Sequence, residues 1–437
     1  MLKLYDSKTN TLKDVDEQFV SIYNCGPTVY NHIHIGNARP LVTFDVLQRL
    51  LKYLNRDVKY VLNITDIDDK IINAAIKENM TELELSNYYA EQYFLILNKM
   101  NILPMINPKV TDNIEGIVDY INQLVVKSSA YFNNNGDIYF DVSLIKDYGS
   151  ISHQNTDKLI SGARVEVDEN KKNLNDFVLW KKTDLGIKWS SPWFDGRPGW
   201  HSECSYLINK LIGKQVTIHG GGMDLKFPHH ENENAQNLAL HNCDLAKIWL
   251  HIGMININNE KMSKSLNNFI LVKDILENFS WQSLRWFFYQ TGISNPLNYT
   301  NDVMIQMENE LKKIKLTINK SKNFLIFNNQ EIIFSEKNVN KEMIEHLENN
   351  LNLINAVTII YKITKELNLA INQSNLSIVS EKLNELASSL QILGIEFDDL
   401  YTEENINLLK QWKKYVDVKD FSNADSLRKK LIEIGIL

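Results

Sequence analysis

Residues 19–62 constrain the fold most. They read as an apolar run from Phe19 to Tyr23, a loop, an amphipathic stretch from about Ala38 to Leu54, the turn Asn55-Arg56-Asp57 and a second apolar run from Val58 to Leu62. Two short strands separated by a helix-length segment pair in parallel, because antiparallel neighbours need only a few linking residues. The crossover through the helix is right-handed. Phe44, Leu47, Leu51 and Leu54 share one helical face, which supplies the apolar cover a parallel sheet requires. The expected class is α/β.

The same pattern resumes later. Gln215 to Ile218 predicts a strand running into a glycine loop, Gly220-Gly221-Gly222, with a helix beginning near Pro228. Ile248 to Ile257 predicts a further strand, ending at Asn258-Asn259. Between these halves, Pro104 and Pro108 break the rhythm and Asn133-Asn134-Asn135-Gly136 turns into a strand from Asp137 to Val142, so roughly 95–185 reads as an insertion. Beyond about residue 300 glycine and proline nearly vanish and helical spacing takes over, at Leu347, Leu351, Leu353 and Ile354 and again at Leu383, Leu386, Leu390 and Leu393. The expected division is 1–300, then an all-α region in two parts, 301–375 and 376–437, linked near Asn372 to Ser377.

With 437 residues, 44% hydrophobic and 23% charged, the chain has the make-up of a soluble globular protein large enough for several cores. Its first residues contain no apolar signal core and no window can span a bilayer, which leads us to expect a cytoplasmic protein. Three scattered cysteines argue against a disulfide framework. The net charge of −7 speaks against general nucleic-acid binding, which depends on phosphate neutralisation, but local basic clusters occur. Lysines 312, 313, 315, 320 and 322 lie in a stretch without acids, and from Lys410 to the end seven basic residues face four acidic ones.

Two motifs carry phosphate chemistry. Lys261-Met262-Ser263-Lys264-Ser265 puts two lysines in a loop of small hydroxylated residues, suited to neutralising charge as pyrophosphate departs. His32-Ile33-His34-Ile35-Gly36-Asn37 precedes the first helix. There imidazole and carboxamide groups add donors to the orphan N–H groups and positive dipole of a helix start. The pair fits ATP.

Metal-ligating residue types also gather near these segments. Cys25 follows the first strand, Cys204 follows Gly199-Trp200-His201-Ser202-Glu203, and His229 and Glu233 lie one helical turn apart on one face. Sulfur, imidazole and carboxylate suit tetrahedral Zn²⁺. His230 with Asn234 has the same spacing and Glu231 is adjacent, so periodicity does not choose the ligands. Cys243 reads as a free thiol.

The paired His34–Asn37 and Lys261–Ser265 motifs resemble the signatures of class I aminoacyl-tRNA synthetases. Together with Cys25-Gly26-Pro27-Thr28-Val29-Tyr30, Asn63-Ile64-Thr65-Asp66-Ile67-Asp68-Asp69-Lys70, Gly199 to Ser205 and His219 to Glu233, they resemble the cysteinyl-tRNA synthetases over about residues 19 to 270. The resemblance implies a Rossmann-like catalytic domain with a connective insertion, followed by an all-α tRNA-binding region. It implies zinc ligands at Cys25, Cys204, His229 and Glu233, one ion per chain, and an amino-acid pocket at Gly26, Thr65, Trp200 and His219. ATP contacts are implied at His34, Asn37, Asp224 and Lys264, with Lys264, Lys261, His34 and Asn37 serving catalysis. Expected partners are tRNA(Cys), ATP with Mg²⁺, and L-cysteine, and the expected state is a monomer.

The motif at 34–37 ends in Asn where the broad class has a second histidine; a carboxamide still donates. The chain stops at Leu437, where the family often continues into a segment that helps read the anticodon, so anticodon discrimination is expected to be present but weaker. Two other functions compete: a ligase joining activated cysteine to an amino sugar, which needs no long helical tail, and a zinc-stabilised RNA-binding protein without catalysis, which needs no phosphate motifs. The tail and the motifs argue against each in turn.

Overall fold

The computed structural model describes residues 1–154, 171–262, 268–332, 335 and 338–437. A small hairpin, β1 (Lys3–Asp6) and β2 (Thr11–Asp14), opens the chain and is followed by β3 (Phe19–Asn24), α1 (Ile35–Tyr53) and β4 (Asp57–Leu62). β3 and β4 pair in parallel from Phe19 opposite Asp57 to Asn24 opposite Leu62, as the pattern predicted. α1 begins three residues earlier than expected, because His34 and Asn37 close a reciprocal capping arrangement around its first turn.

α2 (Asp69–Glu78), α3 (Glu82–Lys99) and α4 (Ile114–Val126) lead into an antiparallel sheet of β5 (Ala130–Phe132), β6 (Ile138–Phe140), β7 (Phe177–Lys182) and β8 (Gly196–Pro198). The inserted unit therefore runs past the expected limit of 185, since β8 completes its sheet. Then come α5 (Trp200–Leu211), β9 (Val216–Gly222), α6 (His229–His241) and β10 (Ala246–Ile252). The central sheet is parallel, in the order β10-β9-β3-β4.

Two expectations change here. Gly220-Gly221-Gly222 is part of β9, not a loop: a Cβ at Gly220 would come within 1.9 Å of the Leu250 carbonyl and 2.8 Å of the Phe44 ring, so glycine is what lets strand and helix approach. The strand expected from Ile248 to Ile257 is two, since the chain turns at Gly253-Met254. It enters a second sheet of β11 (Ile255–Ile257), β12 (Glu260–Lys261) and β13 (Leu297–Tyr299). Asn258 and Asn259 both have positive φ, 50° and 67°, and make the tight β11–β12 turn.

α7 (Val272–Asn278) and α8 (Trp281–Phe288) precede the helical region: α9 (Asn301–Phe327), α10 (Lys341–Glu348), α11 (Leu353–Asn372), α12 (Leu376–Ile392), α13 (Glu403–Asp417) and α14 (Phe421–Ile434). The stretch expected to be a linker, Asn372 to Ser377, is a short turn between α11 and α12, which pack along each other. The longer break is the non-helical stretch from Leu393 to Thr402.

One continuous apolar core runs from the sheet and α1 through α8 to α12, taking in Ile22, Phe44, Trp286, Met304, Ile360 and Leu390. Residue 300 is thus a change of pattern and not a gap in packing. α13 and α14 have a separate small cluster, Ile326, Leu409, Leu431 and Ile436. No described helix is long and apolar enough to cross a membrane.

Candidate active site and metal centre

Parallel sheets place ligands where strands end at their carboxyl edges. β3 ends at Asn24 and delivers Cys25 and Gly26; β4 ends at Leu62 and delivers Asn63 and Thr65; β9 carries His219. α5 brings Cys204 and α6 brings His229 and Glu233. The four candidate donor atoms of Cys25, Cys204, His229 and Glu233 lie within 4.8 Å of one another.

A second set satisfies the same distance, with His219 and His230 in place of Cys204 and His229. Their partners differ. His219 commits both nitrogens, Nδ1 to the Tyr23 carbonyl at 2.9 Å and Nε2 to Glu233 Oε2 at 2.5 Å. His230 Nδ1 pairs with His251 Nε2 at 2.7 Å. His229 Nδ1 meets His201 Nδ1 at 2.9 Å, while its buried Nε2 is ion-paired with Glu233 Oε1 at 2.8 Å without the geometry of a hydrogen bond. An imidazole gathered with two sulfurs and a carboxylate in one buried cluster is a donor set that fits a zinc ion.

The electrostatics agree. Burial raises the Cys25 thiol well above its usual range, and Cys204 and Glu233 push it the same way. Burial also favours the neutral Cys204 thiol, but contacts with Cys25 and His229 outweigh it and bring the pKa down to about 7. Against the cost of burial, His229 and His219 hold Glu233 well below the usual carboxylate range. His229, which burial alone would depress, is lifted to about 10, chiefly by Glu233. A proton on His229 therefore stands where a cation would be expected, and metal binding would displace it.

The residues expected to line an amino-acid pocket border this cluster. Trp200 stacks on His229 with ring centroids 4.0 Å apart. Gly26 N–H donates to Asn63 Oδ1 at 2.9 Å, and a Cβ there would sit 1.6 Å from the Asn63 carbonyl, so only glycine fits. Thr65 Oγ1 donates to Glu203 Oε2 at 3.2 Å and accepts from Asn63 Nδ2 at 3.1 Å. Asn63 and Glu203, which the sequence offers only as members of their motifs, gain a role from these contacts.

The phosphate motifs are brought together as well. Ile35 N–H donates to the Ile270 carbonyl and Val272 N–H to the Ile33 carbonyl, both at 3.0 Å, and the His34 ring lies 5.2 Å from that of Phe269. On the near side of the lysine loop, the Met262 methyl group packs within 2.9 Å of where a Cβ on Gly36 would be. Both flanks of the loop thus meet the first turn of α1. Lys261 is exposed on β12; Ser263, Lys264 and Ser265 lie outside the described residues. Asp224 is in the short turn between β9 and α6, its Oδ1 2.4 Å from where a Cβ on Gly222 would stand.

The basic clusters are only partly surface features. Lys312, Lys313 and Lys320 are exposed on α9, but Lys322 is buried, 3.1 Å from Asp399 and over the Tyr401 ring. Lys410, Lys414, Lys419, Arg428, Lys429 and Lys430 are exposed on and between α13 and α14. Cys243 is a half-buried free thiol.

The family model of the class I (C) tRNA synthetase catalytic domain matches residues 11–309. Among curated relatives, the cysteine–tRNA ligase of Ureaplasma parvum serovar 3 is 53% identical, with all of both chains aligned. That of Malacoplasma penetrans is 47% identical, again with all of both chains aligned. Among solved structures, methionyl-tRNA synthetase of Mycobacterium tuberculosis in complex with methionyl-adenylate superposes with a TM-score of 0.63 at 13% identity, over 90% of this chain and 91% of that one. A leucyl-tRNA synthetase complex from Agrobacterium radiobacter K84 gives 0.61 at 9% identity, over 86% and 84% of the two chains. At these identities the likeness is one of fold.

Proposed function

The chain belongs to the cysteinyl-tRNA synthetases, enzymes that join cysteine to tRNA(Cys), and on that premise we propose how its own residues carry out the reaction. The substrate is bound at Gly26, Thr65, Trp200 and His219, beside Cys25, Cys204, His229 and Glu233. The observation that carries this reading is the buried four-donor cluster of two sulfurs, an imidazole and a carboxylate. Zinc held there would accept the substrate thiolate as a further ligand, a bond the hydroxyl of serine cannot match at neutral pH. An apolar pocket would separate these near-isosteres only about a hundredfold, so the donor set accounts for selectivity without a separate editing site.

ATP, with Mg²⁺, is taken by His34 and Asn37 at the start of α1, by Asp224 and by the lysine loop. The cysteine carboxylate attacks the α-phosphorus, the bond to pyrophosphate breaks, and Lys261 and Lys264 stabilise the charge that develops on the leaving group. A terminal ribose hydroxyl of tRNA(Cys) then attacks the activated carbonyl and AMP leaves. The exposed lysines and arginine of α9, α13 and α14 suit the RNA backbone far from the catalytic end. The catalytic part is taken as 1–300 and the RNA-binding part as the helices beyond.

The test is cysteine-dependent ATP–pyrophosphate exchange measured beside metal content and charging of tRNA(Cys). The expected result is one zinc per chain, exchange with cysteine far above serine, and charging that falls steeply with salt. Equal exchange with serine would refute selection by the metal; exchange without tRNA charging, together with transfer to an amino sugar, would refute the tRNA assignment.

A further inference from the structure

We propose that Arg39 is a positioning residue for adenylation, fixing the small β11–β12–β13 sheet, which carries Lys261, against the helix whose first turn holds His34 and Asn37. The inference rests on the reading that these two motifs act together on ATP.

Arg39 lies two residues beyond Asn37 on α1 and is almost wholly buried. Its Nη1 donates to the carbonyls of Gly253 (2.9 Å), Met254 (3.3 Å) and Asn295 (2.7 Å), and its Nη2 to Thr291 Oγ1 (2.8 Å) and the Gly292 carbonyl (3.2 Å). Every acceptor is neutral. Burial lowers its pKa to about 10, still well above neutrality, so the group stays charged without a carboxylate beside it. Burying such a charge carries a desolvation cost that a leucine or methionine of similar volume would avoid. What an apolar residue could not do is reach two backbone segments at once with a planar fork of donors.

Those two segments are the roots of the second sheet. β11 starts at Ile255, directly after Met254, and β13 at Leu297, two residues after Asn295. They are drawn close: Gly253 N–H donates to the Ile293 carbonyl at 2.8 Å, and a Cβ on Gly253 would stand 2.1 Å from the Asn295 carbonyl. At the far end, beyond the lysine loop, the bonds from Ile35 to Ile270 and from Val272 to Ile33 return the chain to the start of α1. The sheet bearing Lys261 is therefore referred to one helix twice, at its root by Arg39 and past its tip by main-chain bonds. Catalytic donors misplaced by about 1 Å lose on the order of a hundredfold in rate, so this register matters to the chemistry.

The experiment is a double-mutant cycle on pyrophosphate exchange in the full-length protein, with Arg39→Lys and Lys264→Ala. Lysine keeps the charge but cannot make the fork. Arg39→Lys is expected to lower kcat by about 10- to 100-fold with an unchanged KM for cysteine and unchanged zinc content, and most of that loss should vanish in the Lys264→Ala background. Thr291→Val removes one partner and guards against a folding defect; it should give a loss of a few fold in the same direction, also absent beside Lys264→Ala. An Arg39→Lys loss of equal size in both backgrounds, or no loss at all, overturns the proposal. If Lys264→Ala alone costs activity while the losses multiply, only the role of Arg39 fails; if Lys264→Ala exchanges at the full rate, the ATP reading fails with it.

Discussion

Asp45→Asn tests what joins α1 to α8 and, through the arginines it holds, to the end of α12. Asp45 and Arg285 are both fully buried, and Arg285 Nη2 lies 2.6 Å from Asp45 Oδ2. The same oxygen receives Arg49 Nε at 2.8 Å, and Oδ1 receives Leu103 N–H at 2.8 Å. Three hydrogen bonds to a charged group, at about 1.5–3 kcal/mol each, would suggest a loss of roughly 5–9 kcal/mol if they were independent. They are not. Arg285 retains the Met100 and Leu393 carbonyls, and Arg49 retains those of Asn101 and Gln391, so neither cation is stranded without an acceptor. Breaking a buried pair typically costs about 3–5 kcal/mol, and these remaining acceptors put the expected loss near 3 kcal/mol. Urea unfolding followed by tryptophan fluorescence should show it as a lower midpoint. The double variant Asp45→Leu, Arg285→Met should recover part of the loss, because both charges leave the core together. A loss below about 1 kcal/mol for Asp45→Asn would refute the reasoning, since it would mean that desolvation of the carboxylate cancels its attraction to both arginines.

Other outcomes follow from the sites described. Cys204→Ser should sharply lower zinc content measured by elemental analysis of protein purified without added metal, and a full complement in a Cys25→Ser, Cys204→Ser chain would remove the metal assignment. Lys264→Ala should reduce exchange by about 10²-fold through kcat, and a change confined to KM for ATP would mean ground-state binding instead. Asp6 is buried and accepts from Trp249 N–H at 2.9 Å and Lys13 Nζ at 2.7 Å; although burial raises its pKa, these partners hold it below the usual value. Its contribution is therefore full above the unfolded carboxylate value near pH ~4 and is lost as pH falls through the lower folded one. Asp6→Asn should cost about 1–3 kcal/mol at pH 7 and flatten the acid limb of the stability curve; an unchanged acid limb would count against the assignment. Removing residues 398–437 should keep exchange and weaken tRNA charging, whereas a cut at 300 should leave an insoluble chain because it opens the shared core.

Period and turn chemistry made much of the fold legible. The β3–α1–β4 unit was readable because Val58 to Leu62 must lie beside Phe19 to Tyr23 once a helix separates them. Part of the candidate site was legible because His34, Cys25 and Thr65 sit at or just beyond strand and helix ends, where the structure gathers them. Other features depend on partners remote in sequence. Nothing around Ile255 announces pairing with Leu297, forty-two residues on, and Arg39 looks like any helical arginine until Gly253 and Asn295 are seen around it. Lys322 looks like a surface lysine until Asp399 and Tyr401 close over it. That the His230 ring is tied to His251 is likewise invisible until the two are seen together.

The small cluster that holds α13 and α14 gives this hairpin a stability of its own. Only Ile326, Leu409, Leu431 and Ile436 are buried in it; half-buried apolar residues such as Phe327 and Trp412 pack around them, and polar bonds complete the attachment to α9, Asn319 and Asn323 donating to the carbonyls of Gly435 and Ile436 and Tyr401 donating to Asn323. So thin a core opens at a lower free energy than the rest of the molecule. Amide protons of residues 403–434 should exchange with deuterium long before those of α1 or β9, and a protease should first nick the 394–402 connection. The hairpin can then detach and return while the central sheet stays folded.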